Sequence, residues 1–156
     1  MPITVTAPRD VLTTLGEREI LPRLTAALIE ASGLTGNRFF TSIVGGTVHI
    51  LAPEDVYAGG ENRPVVMVEL KLPNIGLSSA EARAAFIAAA TEVVDALTVA
   101  GHDRQNTWVN IVNAPDGGWG IGGTAYTGDG LIAAVVASAD AAADGSHDLQ
   151  SVPGNA

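Results

Sequence analysis

A strand–helix–strand pattern runs twice along this chain, the second copy about sixty residues after the first, and this repeat limits the fold more than any other feature. The first copy opens with the alternating segment Ile3-Thr4-Val5-Thr6-Ala7, which Pro8 ends. Thr14-Leu15-Gly16-Glu17 reads as a capping box with Thr14 as N-cap. Ile20, Leu21, Leu24, Ala27, Leu28 and Ala31 then recur at helical spacing to about Ser32, and Gly33 supplies the stop. Pro22 should kink this helix or delay its start. A second strand region covers Phe39 to Leu51, with a bulge or tight bend expected at Gly45-Gly46. Ala52 to Arg63 reads as loop with one helical turn at Pro53 to Tyr57.

The second copy starts with Val65 to Leu72, rich in β-branched residues. Ser78-Ser79-Ala80-Glu81 offers another capping box with Ser78 as N-cap. The helix behind it carries Ala82, Ala85, Phe86, Ala89, Val93, Ala96 and Leu97 on its apolar side, ends near Ala100 and stops at Gly101. Thr107 to Val112 is the fourth strand. A strand, a crossing helix and a parallel strand form one right-handed unit. The expected fold is therefore α/β, of the α+β kind. Two β-α-β halves, residues 2–60 and 64–125, join into a four-stranded mixed sheet with both helices on one face. The other face is left open, and a symmetric oligomer is the simplest cover for its apolar side chains. The single domain is expected to span residues 1–137. Beyond Trp119 the chain is turn-rich, and residues 138–156, rich in Ala, Asp, Ser and Gly, read as a disordered tail.

Composition narrows the function classes. The 156 residues suit one domain, 47% of them hydrophobic and only 16% charged, so the chain can bury a core. A net charge of −9 argues against a nucleic-acid partner. With no cysteine, disulfides, thiol catalysis and thiolate metal sites are excluded, and no histidine pair stands at metal-ligand spacing. Gly117 to Gly123 lacks the Gly-Lys-Ser/Thr ending of a phosphate loop. There is no signal-peptide pattern and no apolar run near membrane-spanning length, so no membrane partner is expected and the cytoplasm is the default location.

Pro2 is the residue with the most chemistry to offer. Methionine aminopeptidases remove an initiator methionine that precedes a small residue. The mature chain would then start with a secondary amine at the end of a strand. An ordinary α-amino group has a pKa of about 8, and desolvation or a nearby cation lowers it towards working pH. Such an amine can act as general base without any side chain.

With Pro2, the two β-α-β units and Trp119-Gly120-Ile121-Gly122-Gly123 in view, the chain resembles the tautomerase superfamily over residues 2 to about 125. That superfamily includes 4-oxalocrotonate tautomerase, malonate semialdehyde decarboxylase, the 3-chloroacrylic acid dehalogenases and macrophage migration inhibitory factor. Three local matches carry the resemblance. Pro2 opens a strand ending in Ala7-Pro8-Arg9. The segment His49-Ile50-Leu51-Ala52-Pro53-Glu54-Asp55-Val56-Tyr57-Ala58-Gly59-Gly60 precedes Pro64 and a strand. Trp108-Val109-Asn110-Ile111 precedes Gly118-Trp119-Gly120.

The resemblance implies a trimer whose Pro2, freed of Met1, catalyses a keto–enol shift without cofactor on a small carbonyl acid, such as a 2-oxo acid or phenylpyruvate. It also implies substrate-binding roles. Arg9 would grip a carboxylate with paired hydrogen bonds. Lys71 would bind the carboxylate and depress the amine pKa. Asn110 would donate to the enolate oxygen from a neighbouring subunit. Trp108 and Trp119 would wall the pocket, while His49 and Tyr57 are further contacts. Surface or structural roles stand beside these for Arg9, Lys71, His49 and Trp119. Leu34 occupies the place where several inhibitory-factor-like members carry lysine, and the third strand has no arginine pair. These departures favour plain tautomerisation over hydrolytic dehalogenation. Decarboxylation, dehalogenation or hydration on the same scaffold, and a non-catalytic trimeric binding protein, are the alternatives.

Overall fold

Alternation of apolar and polar residues along four strands builds the sheet on which the computed structural model is organised; it describes residues 1–147, with side chains as far as Asp140. The elements in order are β1 (Pro2–Pro8), α1 (Thr14–Ala31), α2 (Arg38–Ser42), β2 (Gly45–Leu51), β3 (Tyr57–Ala58), β4 (Glu61–Asn62), β5 (Val66–Leu72), α3 (Ala80–Leu97), β6 (Thr107–Asn113), β7 (Trp119–Ile121), β8 (Thr124–Tyr126) and α4 (Gly128–His147). The main sheet has the order β2-β1-β5-β6. Each half contributes a parallel pair, β1 with β2 and β5 with β6, and the halves join antiparallel through β1 and β5. The mixed four-stranded sheet of two β-α-β units is thus present.

Register sorts the side chains cleanly. Val5 faces Val48 on one side and Val68 on the other, and Val68 faces Val109. This row, with Ile3, Ala7, Val66, Leu70 and Leu72, packs under α1 and α3. From α1 come Ile20, Leu24 and Leu28, and from α3 come Phe86, Ala90, Val94 and Leu97, all buried. In α3 the stripe is rotated from the expected one. Ala85 and Ala96 are exposed, while Ala90 and Val94 are buried. Alanine carries too little apolar surface to mark a face, so the bulky Phe86 and Leu97 set the rotation.

Several local expectations are corrected. The caps are Thr13 and Ser79, each one residue off. Thr13 Oγ1 accepts from Gly16 N at 2.9 Å and donates to Leu97 O, which ties α1 to the end of α3. Ser79 Oγ accepts from Ala82 N. Pro22 lies inside α1 without ending it. It is exposed, as is Arg18, whose carbonyl loses its helical donor, so water can take that acceptor. Residues 38–42 are helical, not strand, because Asn37 Oδ1 caps Phe40 N and Phe40 turns into the core. Gly45-Gly46 makes no bulge but opens β2 in register. A side chain at Gly46 would collide with the Ile3 carbonyl and with Leu21.

The open sheet face is not the apolar surface expected. It presents Thr4, Thr6, Thr47, His49, Glu69, Lys71 and Asn110, with Met67, Trp108 and Val112 among them. Threonine satisfies strand geometry while remaining polar. The expected tail from Ser138 is also corrected, since α4 continues to His147; residues 148–156 lie outside the described residues. No helix among the described residues is long and apolar enough to cross a membrane.

Candidate functional site at the chain terminus

β1 delivers the chain terminus to one end of the sheet, and four other segments close around it. Gly45 N donates to Met1 O, which extends the β1–β2 ladder to the first residue. Alternation then points Met1 to the helix side. There Met1 is buried, only 4% exposed. Its amine donates to the Ile43 carbonyl. Burial lowers that amine from 8.0 to about 6.

Beside Met1 lies a cavity of about 330 Å³, at the lower end of the size range of ligand sites (roughly 300–1,000 Å³). Its walls come from the α1–α2 connection (Leu34), from α2 (Phe40), from the β5–α3 connection (Ile75, Leu77) and from α4 (Leu131, Val135). Asn113 holds the connection in place, with Nδ2 donating to Pro73 O at 2.9 Å and Gly76 O at 2.8 Å. α4 is pinned at both ends of its contact. Gly128 N donates to Asp116 Oδ1, which also receives Asn74 Nδ2, while Asn37 Nδ2 donates to Val135 O and Phe39 N to Ser138 Oγ.

Sequence reasoning missed this wall. The signal was present in Leu131, Ile132, Val135 and Val136, which share one helical face, together with the Thr127 hydroxyl that caps Gly130 N. Glycines at 128 and 130 and the alanine-rich run disguised it as a turn followed by tail.

The predicted site residues fall into three places. Pro2 and Lys71 are brought together. Ile3 faces Leu70, so the next antiparallel step sets Pro2 opposite Lys71 on the open face, where both are exposed. Asn110 and Trp108 lie on the same face along edge strand β6, opposite Glu69 and Met67, with Trp108 Nε1 donating to Gln105 O. His49 lies opposite Thr6 and contacts the Thr47 hydroxyl at 3.0 Å.

Arg9 stands at the far end of β1, about 20 Å from Pro2 at the rise of an extended strand. With Arg63 it lines a separate hollow of about 200 Å³. Tyr57 belongs to the β3–β4 hairpin and is exposed. Trp119 packs on the rim of the core with Tyr126 at 5.9 Å between ring centroids. Within one chain, then, only Lys71 of the proposed substrate contacts adjoins Pro2. Among the described residues no group of three or more His, Asp or Glu side chains could hold a metal ion.

No protein-family model matches the chain. No curated protein sequence matches it either. Solved structures do. A fused 4-OT, described as a symmetric trimer, aligns with a TM-score of 0.67 at 19% identity, covering 84% of this chain and 98% of that one. A malonate semialdehyde decarboxylase inhibited by 3-bromopropiolate aligns with a TM-score of 0.61 at 19% identity, covering 80% and 92%. Macrophage migration inhibitory factor from Toxoplasma gondii aligns with a TM-score of 0.62 at 14% identity, covering 81% and 100%. At these identities the likeness establishes the fold, one shared with the fused 4-OT, the decarboxylase and the inhibitory factor.

Proposed function

From the premise of a tautomerase-type fold, we propose that this chain is a cofactor-free tautomerase whose amino-terminal Pro2, released by loss of Met1, is the general base. The observation that carries this reading is the environment of the terminus. The walls that hold Met1 lower its amine to about 6 by desolvation, and with Met1 removed the same kind of desolvation would favour the free base of Pro2. Lys71 beside Pro2 adds a like charge, which also disfavours the protonated amine. An amine whose protonated form is disfavoured in this way is suited to abstract a proton.

The reaction needs one proton moved twice. Pro2 N takes a proton from the carbon beside the carbonyl, and the electron pair of that bond becomes the enolate. The resulting ammonium returns the proton to oxygen or carbon. The enolate oxygen requires donors nearby. α3 begins at the cavity with Ser78, Ser79 and Ala82 in its wall, so the positive end of that helix faces the developing charge.

A homotrimer is the proposed assembly. The fused 4-OT structure is described as a trimer, and an assembly that packs the open face would cover Trp108 and Val112 and carry Asn110 of one subunit towards the terminus of another. Decarboxylation fits less well, because the cavity offers no cation to bind the carboxylate that would leave as CO2. One observation favours a non-catalytic reading: Met1 is tightly held, and while it is present Pro2 N is an amide without basicity.

Mass spectrometry of the purified chain tests the premise first. With Met1 absent, wild type should catalyse ketonisation of an enol such as phenylenolpyruvate or phenylacetaldehyde enol, and Pro2→Ala should lose most of that rate. Equal rates in the two proteins would remove Pro2 from the mechanism, and Met1 present on nearly all chains would leave the non-catalytic reading.

A further inference from the structure

We infer that the ligand of the terminal cavity is an uncharged, largely apolar carbonyl compound and not a carboxylate. The inference rests on the amine-centred reading above and narrows its substrate class.

The charge distribution around the cavity carries it. Among the described residues, no Lys, Arg or His side chain lines the cavity. Its polar residues are Ser32, Ser78 and Ser79, and the rest are Leu, Ile, Val, Phe, Ala, Pro, Met and Gly. Arg83 is the cation bonded to this wall. Its Nη1 donates to Leu77 O at 3.0 Å and to Ser78 O at 2.8 Å, so it braces the β5–α3 connection. Lys71 projects from the open face, on the opposite side of the sheet from Met1.

Beyond the lining, Glu81 lies in the first turn of α3, and Asp116 receives Gly128 N and Asn74 Nδ2 where α4 starts. The chain as a whole carries −9. A carboxylate seated in this space would leave water for an apolar wall with no counter-ion, which is strongly unfavourable. A ketone or aldehyde meets no such penalty. Its hydrocarbon part fits the Leu, Ile and Val wall, and the serine hydroxyls and the first turn of α3 suit its oxygen.

The test uses a matched pair that differs only in the group at issue. Phenylacetone and phenylpyruvate share ring, methylene and carbonyl, with methyl in one where the other has carboxylate. Binding of each to the full chain, freed of Met1 and in its native assembly, is measured by calorimetry at neutral pH. Phenylacetone should bind at least about tenfold more tightly. Ile132→Lys puts a cation on the α4 wall at a residue 51% exposed, where the fold can accept it. That variant should narrow or reverse the preference, and Ile132→Met should leave it unchanged. Equal or tighter binding of phenylpyruvate by wild type overturns the inference, as does no detectable binding of phenylacetone up to roughly 10 mM.

Exchange of the methylene protons for deuterium, followed by NMR, keeps the two proposals apart. Pro2-dependent exchange together with a preference for the acid would sink the neutral-ligand inference and leave the base role standing. Preference for phenylacetone with exchange indifferent to Pro2→Ala would do the reverse.

Discussion

Removal of Met1 should change stability in two separable ways, and both follow from how the residue is held. Its side chain is 4% exposed. Fully burying a methionine contributes roughly 1.5–3 kcal/mol, so the Met1-retaining chain should be more stable than the processed chain by about that amount. In a domain of this size each kcal/mol moves Tm by roughly 2–4 °C, which separates the two forms by about 3–12 °C. The second effect is electrostatic. The Met1 amine falls from 8.0 to about 6 on folding. Between those values the folded chain binds fewer protons than the unfolded chain. The stability of the Met1-retaining form therefore rises as pH increases from about 6 to about 8, is full above the unfolded value, and is lost below about 6. A sealed group shifted by two units would contribute about 2.7 kcal/mol. This amine is less enclosed than its side chain, and solvent screening leaves on the order of 1 kcal/mol. The assay is calorimetric melting of the two forms, one expressed with aminopeptidase inhibited and one processed to Pro2, from about pH 5.5 to 9. Equal melting temperatures at neutral pH would refute the burial argument. A Met1-retaining form that loses stability as pH rises from 6 to 8 would refute the desolvation argument.

Other predictions follow from single contacts. Gly46→Ala forces a Cβ against the Ile3 carbonyl and Leu21, so denaturant melts should show a loss of about 2–4 kcal/mol, with the terminal site disturbed because Ile3 adjoins Pro2. Phe86→Ala empties the centre of the core and should cost about 3–5 kcal/mol by the same measurement. Asn113→Ala removes both bonds that hold the β5–α3 connection. It should cost about 1–2 kcal/mol and weaken ligand binding at the cavity, since that connection supplies Ile75 and Leu77. Arg104 pairs with Glu92 and Asp95, yet it is exposed; Arg104→Ala should leave the denaturation midpoint nearly unchanged, and a clear loss would show that the triad is more than a surface network.

Much of the architecture was legible because period-two and helical spacing are local signals. Ile3-Thr4-Val5-Thr6-Ala7 alternates, and residues 20, 24 and 28 recur on one side of α1, so the two β-α-β halves could be read from the chain itself. Pro2 at the head of a strand was equally plain. Where the reading slipped, the residues carried weak or divided signals. Phe39-Phe40 is as apolar as a strand, but Asn37 turned it into a capped helix. Alanines left the rotation of α3 open until Phe86 and Leu97 had a sheet to pack on.

What the linear order of residues determined was the inventory: four strands, two crossing helices, a chain terminus able to become a base, and a net charge that disfavours a nucleic-acid partner. Only the tertiary structure decided which of those pieces meet. Antiparallel joining of β1 to β5 set Lys71 beside Pro2 and left Arg9 at the other end of the strand. Docking of α4 on α2 made a wall from residues whose partners lie about a hundred positions away. Spacing along a chain reports which face a side chain occupies, whereas contact across such a distance depends on how whole elements pack, and that is a property of the folded ensemble of surfaces rather than of any local segment.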